Sequence, residues 1–259
     1  MKINIAGAQV DRYSFDEVVE MTIDRALTGT SPAYIVTPNA QHINNLQHDS
    51  LFQKIYRRAF LVVPDGISIL WAAKFLKTPL KGKVSGINLF EKLCERGASA
   101  PLRMFLLGGC PQAAERAAKI LEQRYLGLNI VGTYCPPYGF ENDPSELELI
   151  NQEISSAAPN ILFVGLGSPK QEKWVYANYQ QLKVPVSIGI GISFEFVAGM
   201  VQRAPVWMQK SGLEWLFRLI VEPKRLWRRY VIGNPLFIYL VLRQKIGLVT
   251  KLKSLTRSS

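Results

Sequence analysis

The chain has 259 residues, 48% of them hydrophobic, and a formal net charge of +11. That content supports a sizeable core and excludes a disordered chain. Two histidines and three cysteines without CxxC spacing exclude a disulfide framework and a zinc site built from His and Cys.

The opening MKINIAGAQV has no signal-peptide character, so Cys94, Cys110 and Cys135 read as reduced, small core residues. Lys2 to Ile5 predicts a short strand, and Ser14 with Glu17 a capping box for a helix toward Leu27. Ala33 to Thr37 is a buried strand, and Pro38, Asn39, Ala40, Gln41 and His42 open the next helix as a polar cluster. Thr37 and Asn39 therefore reach a sheet edge. Asn39 serves equally well as an N-cap there, and His42 as a core residue.

Phe60 to Val63 is short, apolar and stopped by Pro64, which predicts a fully buried strand with Asp65 at its carboxyl end. Gly66 follows, and Ile67, Leu70 and Trp71 resume at helical spacing. Asp65 thus stands on a strand-to-helix turn, where open α/β sheets bind ligands, or it caps the helix that follows. The loop after this helix brings Lys81, Lys83, Gly86 and Asn88 to another helix start.

Arg103 to Leu107 is a strand leading into Gly108, Gly109, Cys110 and Pro111, a turn that can aim N–H groups at a phosphate or simply be tight. After the strand Asn129 to Tyr134, the loop CPPYGF offers Tyr138 and Phe140 for stacking on a base or sugar, or as lid filling. A helix is expected from Ser145 to Ala158. The strand from Ile161 ends in Gly165 and Gly167, and Ser168, Lys170 and Gln171 open the next helix. Lys170 stands where the dinucleotide fingerprint needs its third glycine, which disfavours NAD. Val186 to Ile190 is the last core strand, followed by Gly191 and Glu195. Strands alternating with helices predict an α/β fold with a doubly wound, mostly parallel sheet.

Arg203, Ala204 and Pro205 mark a change of composition. From Arg203 onward there are twelve Lys or Arg against Glu214 and Glu222, whereas the first 202 residues carry nineteen basic and eighteen acidic side chains. Residues 1–202 read as the catalytic domain, 203–247 as a basic, aromatic helical appendage, and 248–259 as a disordered tail. The apolar run Pro235 to Leu242 is far shorter than the roughly 20 residues of a spanning helix. The appendage therefore reads as helices lying on an anionic membrane surface, or as a helical pair docked on the sheet domain with a solvated basic face. Its interleaved Trp and Arg would also suit single-stranded nucleic acid, but the long apolar content favours lipid.

As a set, VTPNAQHI, VVPDGISIL, FLLGG, VGLGSPKQEKW and RAP followed by GLEWLFRLIVEPKRLWRRY resemble the WecG/TagA/CpsF family of bacterial glycosyltransferases, over Met1 to about Gly247. The resemblance implies a Rossmann-like domain with a C-terminal appendage, a UDP-sugar donor, and an undecaprenyl-diphosphate-linked sugar as acceptor. It implies inversion at the anomeric carbon and a cytoplasmic protein peripheral on the inner face of the plasma membrane. Asp65 would be the general base, Thr37 and Asn39 would position substrate, and Gln171 would be the polar residue of the strand-loop-helix unit. Arg218, Arg225 and Arg228 would close over the diphosphate. Gly108, Gly109, Tyr138, Gly165, Gly167 and Arg203 complete the expected binding set.

No Asp-x-Asp occurs in the chain, so metal independence is expected, with no cofactor beyond the donor. Lys83 and Asn88 replace the Arg and Asp common in the family, which leaves N-acetylmannosamine, its uronic acid and glucose open as donor sugars. A homo-oligomer has no sequence signature.

Overall fold

The computed structural model describes residues 2–256, with Lys210 and 248–256 described by backbone alone. Lys2–Ile5 (β1) and Ala8–Asp11 (β2) form an antiparallel hairpin, turned by Ala6 and Gly7 at positive φ. Only its first strand is evident from residue pattern. Asp11 ties the hairpin to the main sheet by accepting the Val62 N–H at 2.9 Å.

Six parallel strands make that sheet: Ala33–Val36 (β3), Leu61–Val62 (β4), Arg103–Gly108 (β5), Asn129–Tyr134 (β6), Ile161–Gly165 (β7) and Val186–Gly189 (β8). Their spatial order is β4-β3-β8-β7-β5-β6. Alternation along the strands divides the core into two layers. Tyr34, Val36, Phe105, Leu107, Leu162 and Val164 pack under the helices Ser50–Arg58, Pro144–Ala157 and Lys170–Leu182. Ile35, Met104, Leu106, Phe163 and Ile188 pack under Phe15–Thr28, Gly86–Gly97 and Ala113–Arg124. Each such side chain fully buried is worth about 1.5–3 kcal/mol, so both layers are needed. The capping box forms as expected, Ser14 N–H to Glu17 at 2.6 Å and Glu17 N–H to Ser14 at 3.3 Å. The helix Ser50–Arg58 was not anticipated from the pattern.

The adjacent strands β3 and β8 send their chains to opposite layers. β3 leads into Ala40–Leu46, whose Ile43 joins the first layer, and β8 into Ser193–Val197, whose Phe194 joins the second. A crevice opens at such a reversal, outside the carboxyl ends of the strands.

The C-terminal segment continues as short helices Val206–Ser211, Glu214–Val221 and Pro223–Trp227, a π-helical turn Arg228–Ile232, and a long helix Gly233–Thr256. Phe237, Leu240 and Val241 of the long helix enter the first core layer. Its Gln244 accepts from Ala6 N–H at 2.6 Å and donates to Asn4 O at 2.9 Å, and Asn44 donates to Gly233 O at 2.8 Å. One face of this helix is thus core, which departs from helices lying wholly on a membrane. The described backbone stays helical through Thr256, past the point where composition suggested a disordered tail, and 257–259 lie outside the described residues. Among the described residues no helix is long and apolar enough to cross a membrane. Cys94 is buried as expected, but Cys110 and Cys135 are only half-buried, because they sit on strand-end loops rather than under a helix.

Candidate active site

A cavity of about 1270 Å³ lies at the carboxyl edge of β3, β4, β7 and β8, and the C-terminal segment closes its other side. Thr37, Asn39, Asp65, Gly165, Gly167 and Gln171 line it together with Arg218 and Arg225. The structure therefore brings eight of the thirteen expected residues to one place.

Asp65 follows β4, and its backbone is stitched to the neighbouring turn by Asp65 N–H to Pro38 O at 3.0 Å. It does not cap the helix Ile67–Phe75, whose N-cap is Gly66 without a side-chain bond. Its Oδ1 instead accepts the Gly86 N–H at 3.2 Å, at the positive end of the helix Gly86–Gly97. Burial pushes the Asp65 pKa above the usual carboxylate value, Lys83 opposes that shift, and Glu214 adds to it. A desolvated carboxylate with a raised pKa in a cavity is the character of a general base.

Around it the first-turn residues are held from within the protein. Asn39 caps Ala40–Leu46, accepting from the Gln41 and His42 N–H groups at 3.0 and 3.3 Å, so the capping reading of Asn39 holds alongside its place in the cavity. Thr37 donates to Gly189 O at 3.4 Å, which ties β3 to β8 at the crevice. Gln171 is buried, donating to Glu172 at 2.7 Å and accepting the Gly191 N–H at 3.1 Å. His42 is buried too, with Nδ1 2.8 Å from the Tyr56 hydroxyl and Nε2 3.8 Å from Glu172. Burial holds His42 below its ordinary pKa, so the imidazole is neutral at neutral pH.

A Cβ added at Gly189 would stand 2.7 Å from Gln171 Nε2. Gly189→Ala is therefore expected to displace Gln171 and lower kcat by on the order of 10-fold to 100-fold while the protein stays folded. Steady-state kinetics beside a melting curve check this; unchanged kcat would show that Gln171 has no bearing on the site.

The arginines are arranged differently from the expectation. Arg218 and Arg225 line the cavity, whereas Arg228 is exposed and lies over the Trp227 ring, outside the lining. Arg229 faces inward in its place. Arg225 and Arg229 are four apart and share a helical face, and the π-helical turn begins between them. Arg225 pairs with Glu222. No ion pair or hydrogen bond holds Arg229 or Arg218 among the described residues; Arg218 lies over Phe196 and Arg229 over Tyr230. Burial lowers the Arg229 pKa, the neighbouring Arg218 and Arg225 add to that, and Asp65 opposes it. Four polar atoms of residues that line this cavity, Ser85 Oγ, Ser168 Oγ, Glu195 Oε2 and Arg218 Nε, are buried without a hydrogen-bond partner. Unpaired guanidiniums and orphaned hydroxyls lining one cavity fit an anionic ligand.

Five expected residues lie elsewhere. Gly108 and Gly109 do not line the cavity; Gly109 N–H is taken by Gly165 O at 2.8 Å and Cys110 N–H by Glu195 at 2.8 Å, so this turn has its donors satisfied. Gly108 is required by packing, since a Cβ there would meet Gly165 O at 2.8 Å. Tyr138 is fully exposed, and Lys170 is drawn to its loop, pairing with Glu141 at 2.7 Å and lying 4.9 Å over the Phe140 ring. Arg203 donates to Asn88 at 2.8 Å and faces Glu214 at 3.6 Å, outside the cavity lining. Glu214 is a lining residue that sequence reasoning missed. It pairs with Lys83 at 3.5 Å, so the two positions where the chain departs from the family pattern, Lys83 and Asn88, meet Glu214 and Arg203 of the C-terminal segment.

Two proteins of Staphylococcus aureus, from strain NCTC 8325 / PS 47 and strain COL, are each 29% identical over 245 residues, covering 94% of this chain and 93% of theirs. Both are named N-acetylglucosaminyldiphosphoundecaprenol N-acetyl-beta-D-mannosaminyltransferase. The pattern of one glycosyl transferase family matches residues 3–251, nearly the whole chain. The chain belongs to the glycosyl transferase WecG/TagA/CpsF family.

Proposed function

We propose that this hexosyltransferase moves a sugar from a UDP-sugar to N-acetylglucosamine carried on undecaprenyl diphosphate, inverting the anomeric centre, with Asp65 as general base. The observation that carries the reading is that Asp65 and the unpaired Arg229 line one cavity with Arg218 and Arg225, and that Asp65 opposes the burial shift at Arg229. The acceptor is the one in the names of the relatives.

The Asp65 carboxylate takes the proton of the acceptor hydroxyl as that oxygen bonds to the anomeric carbon. The bond from this carbon to the diphosphate oxygen breaks on the opposite face, and its electron pair leaves with UDP. Arg218, Arg225 and Arg229 meet the charge that develops on the leaving diphosphate, which preorganised cations do at no reorganisation cost. Among the described residues no group of three His, Cys, Asp or Glu is placed to hold a metal ion. The reading requires the protein to meet its acceptor at the cytoplasmic face of the membrane as a peripheral protein.

Transfer from a panel of UDP-sugars to a short-tailed analogue of the acceptor, with EDTA present, tests this. Product from one donor, with turnover within about two-fold of the EDTA-free rate, is expected; loss in EDTA that added divalent metal restores would overturn metal independence. No product from any donor, with UDP still bound, would overturn the acceptor. Salt-sensitive binding of single-stranded DNA without UDP affinity would favour the basic segment as a nucleic-acid module instead.

A further inference from the structure

The cavity has an apolar mouth that the transfer chemistry does not use. Trp71 and Phe75, four apart on the helix Ile67–Phe75, face outward there, and so do Ile238 and Leu242, four apart on the helix Gly233–Thr256. All four line the cavity that holds Asp65, yet they are 55%, 47%, 55% and 45% exposed. Their neighbours Ala72 and Val241 are buried and complete the floor between the helices. The two helices are tied at one end by Lys245, which donates to Phe75 O at 2.9 Å and lies 5.4 Å over the Phe75 ring.

Water gains nothing from such a mouth, and a sugar nucleotide needs none of it. Contiguous exposed apolar surface of this kind marks a binding site for lipid or protein. Lys74, Lys77 and Arg243 are exposed beside it, which gives the mouth a cationic fringe suited to anionic headgroups.

Resting on the function proposed above, we propose that the cleft between Trp71–Phe75 and Ile238–Leu242 is the portal through which the isoprenoid chain of the acceptor passes from the cavity into an anionic bilayer. The membrane contact then includes a helix of the sheet domain and is not confined to the basic appendage. The geometry explains why the last helix is part of the core. Its inner face, at Phe237, Leu240 and Val241, fixes the distance to the helix Ile67–Phe75, and its outer face supplies half of the portal.

The test compares the unaltered chain with Trp71→Ser/Phe75→Ser and, on the facing helix, Ile238→Ser/Leu242→Ser, each shown to be folded by its melting curve. Two acceptors are used, one with the undecaprenyl tail and one with a single isoprene unit. The ratio of kcat/KM for the long over the short tail is expected to fall about ten-fold or more in both double variants. Flotation with vesicles of phosphatidylglycerol and phosphatidylcholine should fall in parallel. An unchanged ratio with unchanged flotation would overturn the portal. If the unaltered chain turns over neither acceptor, the transferase reading fails and flotation alone decides: equal recovery of variant and unaltered chain overturns the portal, and loss supports it. A double variant that becomes monomeric from a dimer while vesicle binding is unchanged would reassign the patch to contact between copies of this chain.

Discussion

Asp65→Asn will lower kcat by about 10²-fold to 10⁴-fold, the range for removing a general base, and will nevertheless melt at a higher temperature than the unaltered protein at neutral pH. The second half follows from the raised pKa. Burial, the largest cause, makes the folded chain hold the Asp65 proton more tightly than the unfolded chain does. Stability from that protonated carboxyl is fully present below the unfolded value, about 3.9, and is lost as pH rises through the folded value. Wherever pH exceeds the folded value, the folded protein carries a charge that burial penalises. Asparagine removes it while keeping an acceptor for the Gly86 N–H. The gain in melting temperature should shrink as pH falls below the unfolded value of about 3.9, where an aspartate becomes protonated in either state. Calorimetry at the two pH values checks the sign. In the active protein kcat/KM should fall as pH drops through the raised Asp65 pKa, with the acid limb above the ordinary carboxylate range. An asparagine variant that is inactive and less stable at neutral pH would make Asp65 a structural residue.

Arg229→Ala should cost about 10²-fold to 10³-fold in kcat/KM, as expected for losing one preorganised group aimed at developing charge. Arg228→Ala should stay within about two-fold, because its guanidinium lies over Trp227 outside the cavity. The pair separates a site built by the family pattern from one built by the helical turn. Arg229 also opposes the burial shift at Asp65. Its removal should move the acid limb of the pH profile further up, a readout that simple loss of packing does not produce. Arg229→Lys keeps that charge without the forked donor geometry, so it should restore the pH limb more fully than the rate. Equal losses in the Arg228 and Arg229 variants would overturn the assignment.

Local rules were enough for much of the architecture. Val36 and Val62 announce buried parallel strands, Ser14 with Glu17 announces a helix start, and Pro64 ends a strand where Asp65 must emerge, since each signal lies within a few residues of its effect. The position of Asp65 at a sheet edge followed from that alone, and so did those of Thr37 and Gln171. The hairpin partner Ala8–Asp11 and the helix Ser50–Arg58 were not legible, because both are short and take their stability from tertiary neighbours.

Residue types and their order determined the alternation of strands and helices, the family, and which side chains had the chemistry to act. Tertiary structure alone decided which of them meet. Gly108 and Gly109 look like a phosphate turn, but the Gly109 N–H is taken by Gly165 and the Cys110 N–H that follows by Glu195, partners remote in the chain. Arg228 and Arg229 are adjacent and chemically equal, and the turn they occupy puts Arg229 into the cavity that Asp65 lines and Arg228 in solvent. Glu214 and Lys83 are 131 positions apart and pair at the cavity. Strand and cap signals are local in the chain, whereas a cavity is made by whatever the sheet order and the docking of the last helix bring together. That depends on packing energy summed over the whole core.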